Sequence, residues 1–373
     1  MQDWPDGFDL DAMLSPIPGD TPVGTDLRED FSAQSPYYRL RDLRAEARAL
    51  ERAIDAGDPN ATEAEVAPKW RQIRDLASRV LTETAKDLEV AAWYTEALVR
   101  SDGLRGLAAG AALIAGLTET FWDNNLYPVP DEDGIVTRVA PVTGLNGEGG
   151  DGTLIQPLRK LPLFPRPDGS VLSYWQYEQS AELEGIGDST RRQQRLDAGV
   201  MAFDDVEKEA RAAGAARFGT LRAQAEEASA RWRAMGDVLD ARAGMDSPPT
   251  SRVRDLVDQI LAAARRYAPQ QEEAPEAAET QPVPGEAAPG DAGVSVAGGS
   301  AGRAVTRDDM LRELERIAEY FRRTEPHSPL ADTLNEAVRR GRMTWPELLA
   351  ELVPDVATRH SILTGLGIKP GDE

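Results

Sequence analysis

Glu325, His327 and Ser328 put a carboxylate, an imidazole and a hydroxyl into one short stretch, the groups that acid–base and nucleophilic hydrolysis need. Pro326 and Pro329 hold that stretch in a turn, where neighbouring side chains diverge, so Ser328 is more simply a helix cap. Asp131-Glu132-Asp133-Gly134 has the texture of a calcium loop. With Gly134 in its sixth position, however, Val129 and Ala140 fall at the first and twelfth ligand positions, and neither offers a side-chain oxygen. Gly147-Glu148-Gly149-Gly150-Asp151-Gly152 meets the spacing of a dinucleotide-binding glycine fingerprint. It follows no strand, Pro157 blocks a prompt helix, and Glu148 and Asp151 would repel a pyrophosphate. The chain has no cysteine and two histidines, His327 and His360, which removes thiolate chemistry, disulfides and cysteine-ligated metals. The expectation is no catalytic residue, no metal and no cofactor, with a hydrolase using His327 and Glu325 as the alternative of the enzymatic class.

The elements around these residues are helical. Of 373 residues, 41% are hydrophobic and 6% aromatic, a composition that leans toward Ala- and Leu-rich helix rather than sheet. The net charge of -22 repels nucleic-acid phosphates and anionic lipid heads, so neither nucleic acid nor a membrane surface is expected as a partner. Met1 to Asp6 carries acid where a secretory leader carries Lys or Arg, and the charge-free run Gly106 to Thr118 is too short to span a bilayer. A cytoplasmic chain without membrane insertion follows, with that run as a tightly packed core helix.

Apolar residues at three- and four-residue steps predict a helix through Leu40, Leu43, Ala47, Leu50 and Ile54. A second is expected after Pro68, a third from Leu88 to Val99 and a fourth from Leu104 to Trp122. From Tyr127 to Tyr177 the texture is Pro, Gly and short β-branched runs, Gly134 to Thr137 and Gly169 to Leu172, predicting extended loops and a small hairpin. Helix resumes after Asp188 with a stripe of Leu196, Val200, Phe203 and Val206. Leu221, Ala225, Ala228, Trp232, Met235 and Leu239 then form a heptad stripe, paired within the chain or between chains. Another helix runs from Thr250 to Tyr267. Trp70, Trp93, Trp122 and Trp232 fall on apolar faces and are expected in the core, whereas Trp345 serves either a core or a subunit contact.

Residues 268–304 are Pro, Ala, Glu, Gln and Gly without an aromatic, a composition that cannot offset its own ordering entropy, so a disordered acidic linker is expected. The expected organisation is mainly α: a helical N-terminal domain over 1–180, a helical middle domain over 188–267, the linker, and a small helical oligomerisation domain over 305–373. The last segment reads as helices with capping boxes at Thr306 and Thr344, and a helix from Pro329 closed by Gly341. Its ten Lys and Arg against thirteen Asp and Glu leave little repulsion to oppose self-association.

Several segments resemble a known family. Leu14-Ser15-Pro16-Ile17 followed by Thr21-Pro22-Val23-Gly24-Thr25-Asp26-Leu27-Arg28 resembles the opening of the ImpA N-terminal domain of TssA proteins from bacterial type VI secretion systems. Lys86-Asp87-Leu88 through Trp93, with Glu96-Ala97-Leu98 and Gly103 to Leu107, is similar to that domain's Lys-Asp-Leu helix. Phe121-Trp122-Asp123, Tyr127-Pro128, Asp131, Asp133 and Gly134 follow in the family's order, to Leu145-Asn146. Glu325-Pro326-His327-Ser328-Pro329, with Arg339, Met343 and Glu347-Leu348-Leu349, is similar to the C-terminal segments of many TssA-type chains. The resemblance implies a non-enzymatic assembly factor: a homo-oligomeric ring that contacts baseplate, sheath, inner tube and membrane-complex proteins. At this length it implies a baseplate-associated role, with an accessory sheath-capping or sheath-terminating protein as the alternative. Pro16, Gly24, Asp26, Lys86, Asp87, Trp93, Trp122, Pro128, Asp131, Asp133 and Gly134 are then its structural or interaction motif. Glu325, Pro326, His327, Pro329 and Trp345 are the candidate oligomer contacts.

Overall fold

Nearly every three-and-four-spaced apolar stripe forms helix in the computed structural model. It describes residues 4–268 and, further on, 314–315, 318, 321–322, 329–343, 348, 351 and 355. The architecture is mainly α, with one small two-stranded sheet. The chain divides into two compact units, Met1–Ala277 and Ala278–Glu373.

The first unit opens with a short helix α1 (Leu10–Leu14), capped by the Asp9 side chain, and a loop to Asp26. Helix α2 (Pro36–Asp55) starts with Pro at its first position and buries Leu40 and Ala47. Helix α3 spans Glu63–Glu83, so the second helix begins five residues ahead of the proline that was expected to precede it. A capping box between Thr62 and Glu65 supplies the start, and Pro68 lies early enough to remove one intrahelical bond without ending the helix.

Helix α4 (Leu88–Phe121) contains the third and fourth expected helices, joined at Gly103, whose φ of 59° and ψ of -127° reverse the chain. Close approaches pair residues on either side of that turn. A Cβ on Gly106 would lie 2.1 Å from the Leu98 carbonyl oxygen, and one on Gly110 would lie 2.4 Å from the Thr95 side chain. The two arms of α4 therefore run antiparallel with backbones nearly touching, which is what the Ala- and Gly-rich second arm is for.

Past Tyr127 two expectations separate. Val171–Ser173 (β2) pairs antiparallel with Pro162–Pro165 (β1), as the hairpin requires. Gly134 to Thr137 is not extended: Gly134, at φ 69°, starts helix α5 (Ile135–Asn146). With no partner strand beside it, the β-branched pair Ile135-Val136 forms helix instead, since β propensity needs a neighbour to express itself. Helices α6 (Ile155–Arg159) and α7 (Tyr174–Glu184) also occupy this region, the latter started by a Ser173–Gln176 capping box.

Asp188 caps α8 (Ser189–Asp197), and Gly199, at φ 91°, interrupts the expected stripe before α9 (Phe203–Ala213). Helix α10 (Ala215–Ala243) buries Leu221, Ala225, Ala228, Trp232, Met235 and Leu239. It packs along α4 and along α11 (Ser251–Tyr267), so the heptad stripe is consumed within the chain. Trp232 is fully buried and its indole donates to the Thr250 carbonyl at 2.9 Å. Trp70, Trp93 and Trp122 are buried too. A single apolar cluster runs from Phe8 to Tyr267.

In the second unit the described residues include α12 (Leu330–Arg342), which buries Ala331 and Val338. Pro329 is its N-cap rather than its first residue, and Gly341 lies inside the helix rather than closing it. Arg339 bridges Glu336 and Glu351 at 2.6 and 2.7 Å. The expected linker beyond Ala268, both capping boxes and His360 lie outside the described residues. No helix among the described residues is long and apolar enough to cross a membrane.

Candidate functional site

Three of the motif segments meet in a backbone junction. Lys86 N–H donates to the Val23 carbonyl at 2.8 Å, Tyr127 N–H to the Lys86 carbonyl at 3.2 Å, and Leu88 N–H to the Tyr127 carbonyl at 2.8 Å. Gly24 bridges Ala85, and at φ 76° a Cβ there would lie 2.0 Å from the Thr84 carbonyl oxygen. Only glycine fits, for both conformation and space. Asp26 accepts from the Arg28 N–H, starting the 3-10 turn that aims Arg28 back at the junction.

Lys86 is fully enclosed and donates at 2.7 Å to the carbonyls of Met13 and of Leu81. Burial pushes its pKa down to about 8. A lysine near that value is what amine catalysis requires, yet this side chain is closed off from solvent. Its role is to close the ends of α1 and α3, each of which offers a carbonyl that the helix itself leaves free.

Asp87 caps α4, accepting from Glu89 and Val90 N–H at 2.8 and 3.2 Å. Its second oxygen takes Arg28 at 2.7 Å, and Arg28 also reaches Glu89 at 2.6 Å. Burial opposes the Arg28 charge, but the two carboxylates overcome it and hold the pKa above its ordinary value. The Tyr37 hydroxyl donates to Glu89 at 3.0 Å, and burial first, then Glu89, pushes it up to about 12.

One turn further along α4, Trp93 packs on Tyr37, and Arg44 binds Glu96 through Nε at 3.0 Å and Nη2 at 2.7 Å. The other Glu96 oxygen is buried, accepts no hydrogen bond and lies 3.9 Å from Arg100. Arg44, Trp93 and Glu96 face Pro128, Thr137 and Pro141 across a groove of about 340 Å³ between α2, α4 and α5. Behind its far wall, buried Arg138 ties the motif's last part together. It donates to the Pro128 and Trp122 carbonyls at 3.2 and 3.1 Å and stacks on the Trp122 ring.

The structure thus brings together Gly24, Asp26, Lys86, Asp87 and Pro128, places Trp93 beside the groove, and puts Trp122 behind it. Asp131 lies on an exposed turn, where it accepts from Asp133 N–H and the Thr137 hydroxyl ahead of Gly134. Among the described residues no group of three metal-ligating side chains occurs. Pro16 is exposed beyond α1, away from the junction's hydrogen bonds. Pro329 is exposed at the α12 cap, while Glu325, Pro326, His327 and Trp345 lie outside the described residues. Sequence reasoning missed Arg44 and Arg138. The signal for Arg44 was present: 37, 40, 44 and 47 share one helix face with buried Leu40 and Ala47, so a guanidinium there needs a buried carboxylate.

Both carboxylates that line the groove are engaged: Glu89 by Arg28 and Tyr37, and Glu96 by Arg44.

Residues 14–147 match the family model described as ImpA, N-terminal, type VI secretion system. The chain is similar to the type VI secretion system component TssA1 of Pseudomonas aeruginosa, 29% identical over 364 residues, covering 96% of this chain and 98% of that protein. It is also similar to the solved N-terminal domain, including the conserved ImpA_N region, of the TssA component from Burkholderia cenocepacia. There the identity is 26% and the TM-score 0.57, over 70% of this chain and 96% of that one.

Proposed function

Because this chain belongs to the TssA family of type VI secretion components, we propose that it is a non-enzymatic assembly factor, a cytoplasmic homo-oligomer that helps baseplate and contractile sheath assemble. The observation that carries this reading is length: similarity to TssA1 extends over 96% of this chain and 98% of that protein. The groove supports it, since tied-up carboxylates favour binding over group transfer. Self-association is assigned to 305–373, whose near-balanced charge opposes assembly least. A ring of such units would display many N-terminal units to baseplate, sheath, inner tube and membrane-complex proteins at raised effective concentration.

Light scattering on the full chain tests the first step. A large defined oligomer is expected, and Trp345→Asp should lower its mass while the N-terminal unit stays folded by circular dichroism. A monomeric full chain would replace the scaffold with a partner-dependent adaptor. Pull-down against baseplate and sheath proteins separately then tests the place of action, with retention of sheath alone favouring the capping alternative.

A further inference from the structure

The turn at Gly103 forms the back of a second, larger cleft of about 810 Å³, open to solvent and walled by α3, by the stretch from α6 into β1, and by the first half of α10. Its charge runs against that of the molecule. In a chain of net charge -22, six cationic side chains line it against three carboxylates, Glu51, Glu63 and Asp102.

Internal pairing cancels only part of the excess. Arg100 is held by Glu51 at 2.6 Å, Arg74 by Asp102 at 2.7 Å, and Lys160 by Asp55. Arg71, exposed on α3, has no carboxylate partner among the described residues. Arg217, exposed on α10, donates its Nε at 2.6 Å to the Leu163 carbonyl, a neutral acceptor that orients the guanidinium and leaves its charge and its other N–H groups available. Between the two walls the floor is apolar, from Trp70, which carries the Arg100 guanidinium 3.9 Å above its ring, to Leu104 and Leu221.

We propose that this cleft docks an acidic segment of a partner protein, its carboxylates on Arg71 and Arg217 and an apolar side chain on the floor between them. Two arginines on separate walls call for carboxylates at separate positions of one chain, and guanidinium groups bind them bidentately. An enclosing pocket would suit a small anion, whereas a cleft open along one side suits a peptide lying in it. The inference goes beyond ring formation, because peptide binding is read on the chain whatever its oligomeric state.

The test is fluorescence anisotropy of a labelled Glu/Leu peptide on the full-length protein, with a Lys/Leu peptide as control. Binding of the acidic peptide alone is expected, weakening as salt rises. Arg71→Glu with Arg217→Glu should weaken it by about tenfold or more. Arg71→Glu alone, at a position without an internal ion pair, should weaken it measurably with an unchanged melting curve, which keeps the test readable if the double variant unfolds. Equal binding by wild type and variants, or of both peptides, overturns the proposal. So does competition by low concentrations of inorganic phosphate, which marks a small-anion site. Tighter peptide binding after replacing Glu272, Glu273, Glu276 and Glu279 with Gln also overturns it, because the chain's own acidic stretch would then be the occupant.

Discussion

Lys86 and Met13 are 73 residues apart in sequence, and the lysine ammonium lies 2.7 Å from the methionine carbonyl. The Leu81 carbonyl is the second acceptor, and the Phe121 ring lies 5.7 Å from the same nitrogen. The folded pKa of about 8 lies below the ordinary 10.5, so between these values the unfolded chain holds the proton and the folded chain does not. Unfolding then takes up protons, and the Lys86 contribution to stability rises as pH climbs through that window, by about 3 kcal/mol at full span. Urea denaturation across the window, on wild type and Lys86→Met, should show this rise in wild type only. Parallel profiles would mean that Lys86 keeps its proton in the fold.

Gly24 supplies a paired comparison with Gly57. Both have positive φ, 76° and 77°, but a Cβ at Gly24 strikes the Thr84 carbonyl whereas one at Gly57 meets open space. Gly57→Ala should cost about 1 kcal/mol, the conformational term alone, and Gly24→Ala about 3 kcal/mol or more, because the junction must also open. Thermal melts of the two variants check the difference, and equal shifts would show that the segment moves aside freely.

Removing Arg28 leaves Asp87 fully buried with its helix-capping bonds but no counter-charge, and leaves Glu89 with Tyr37 alone. Arg28→Ala should therefore destabilise by about 2 kcal/mol, discounted because the guanidinium is partly exposed. Arg28→Lys should recover only part of this, since one ammonium cannot span both carboxylates as the guanidinium fork does. Chemical denaturation of both variants measures it, and full recovery by lysine would reduce the contact to simple charge.

How much was legible in the sequence divides along local and non-local lines. The helix stripes other than the one Gly199 interrupts, the break between Val99 and Leu104, and the hairpin strand at Val171 each depend on neighbours a few residues away, and each appears. Ile135-Val136 went the other way because a strand needs a partner that local sequence does not declare. Pro68 misled for a similar reason, its local veto yielding to the Thr62 cap upstream. At the junction, the order of the motif segments was readable, but not that Val23, Lys86 and Tyr127 bind one another's backbones. Those bonds engage peptide groups that every residue has. Arg138 left no pattern at all, since its acceptors are the carbonyls of Trp122 and Pro128.

The hairpin of α4 also sets an order of folding. Thr95 meets Gly110 and Leu98 meets Gly106 across a loop of about a dozen residues, which closes at small entropic cost. Lys86 must wait for Met13 upstream and Tyr127 downstream, much longer closures that slow the steps depending on them. During synthesis, then, the two arms of α4 can zip together while the part of the unit beyond them is still unmade. They would form the early nucleus, and the Lys86 junction would be the latch that shuts last.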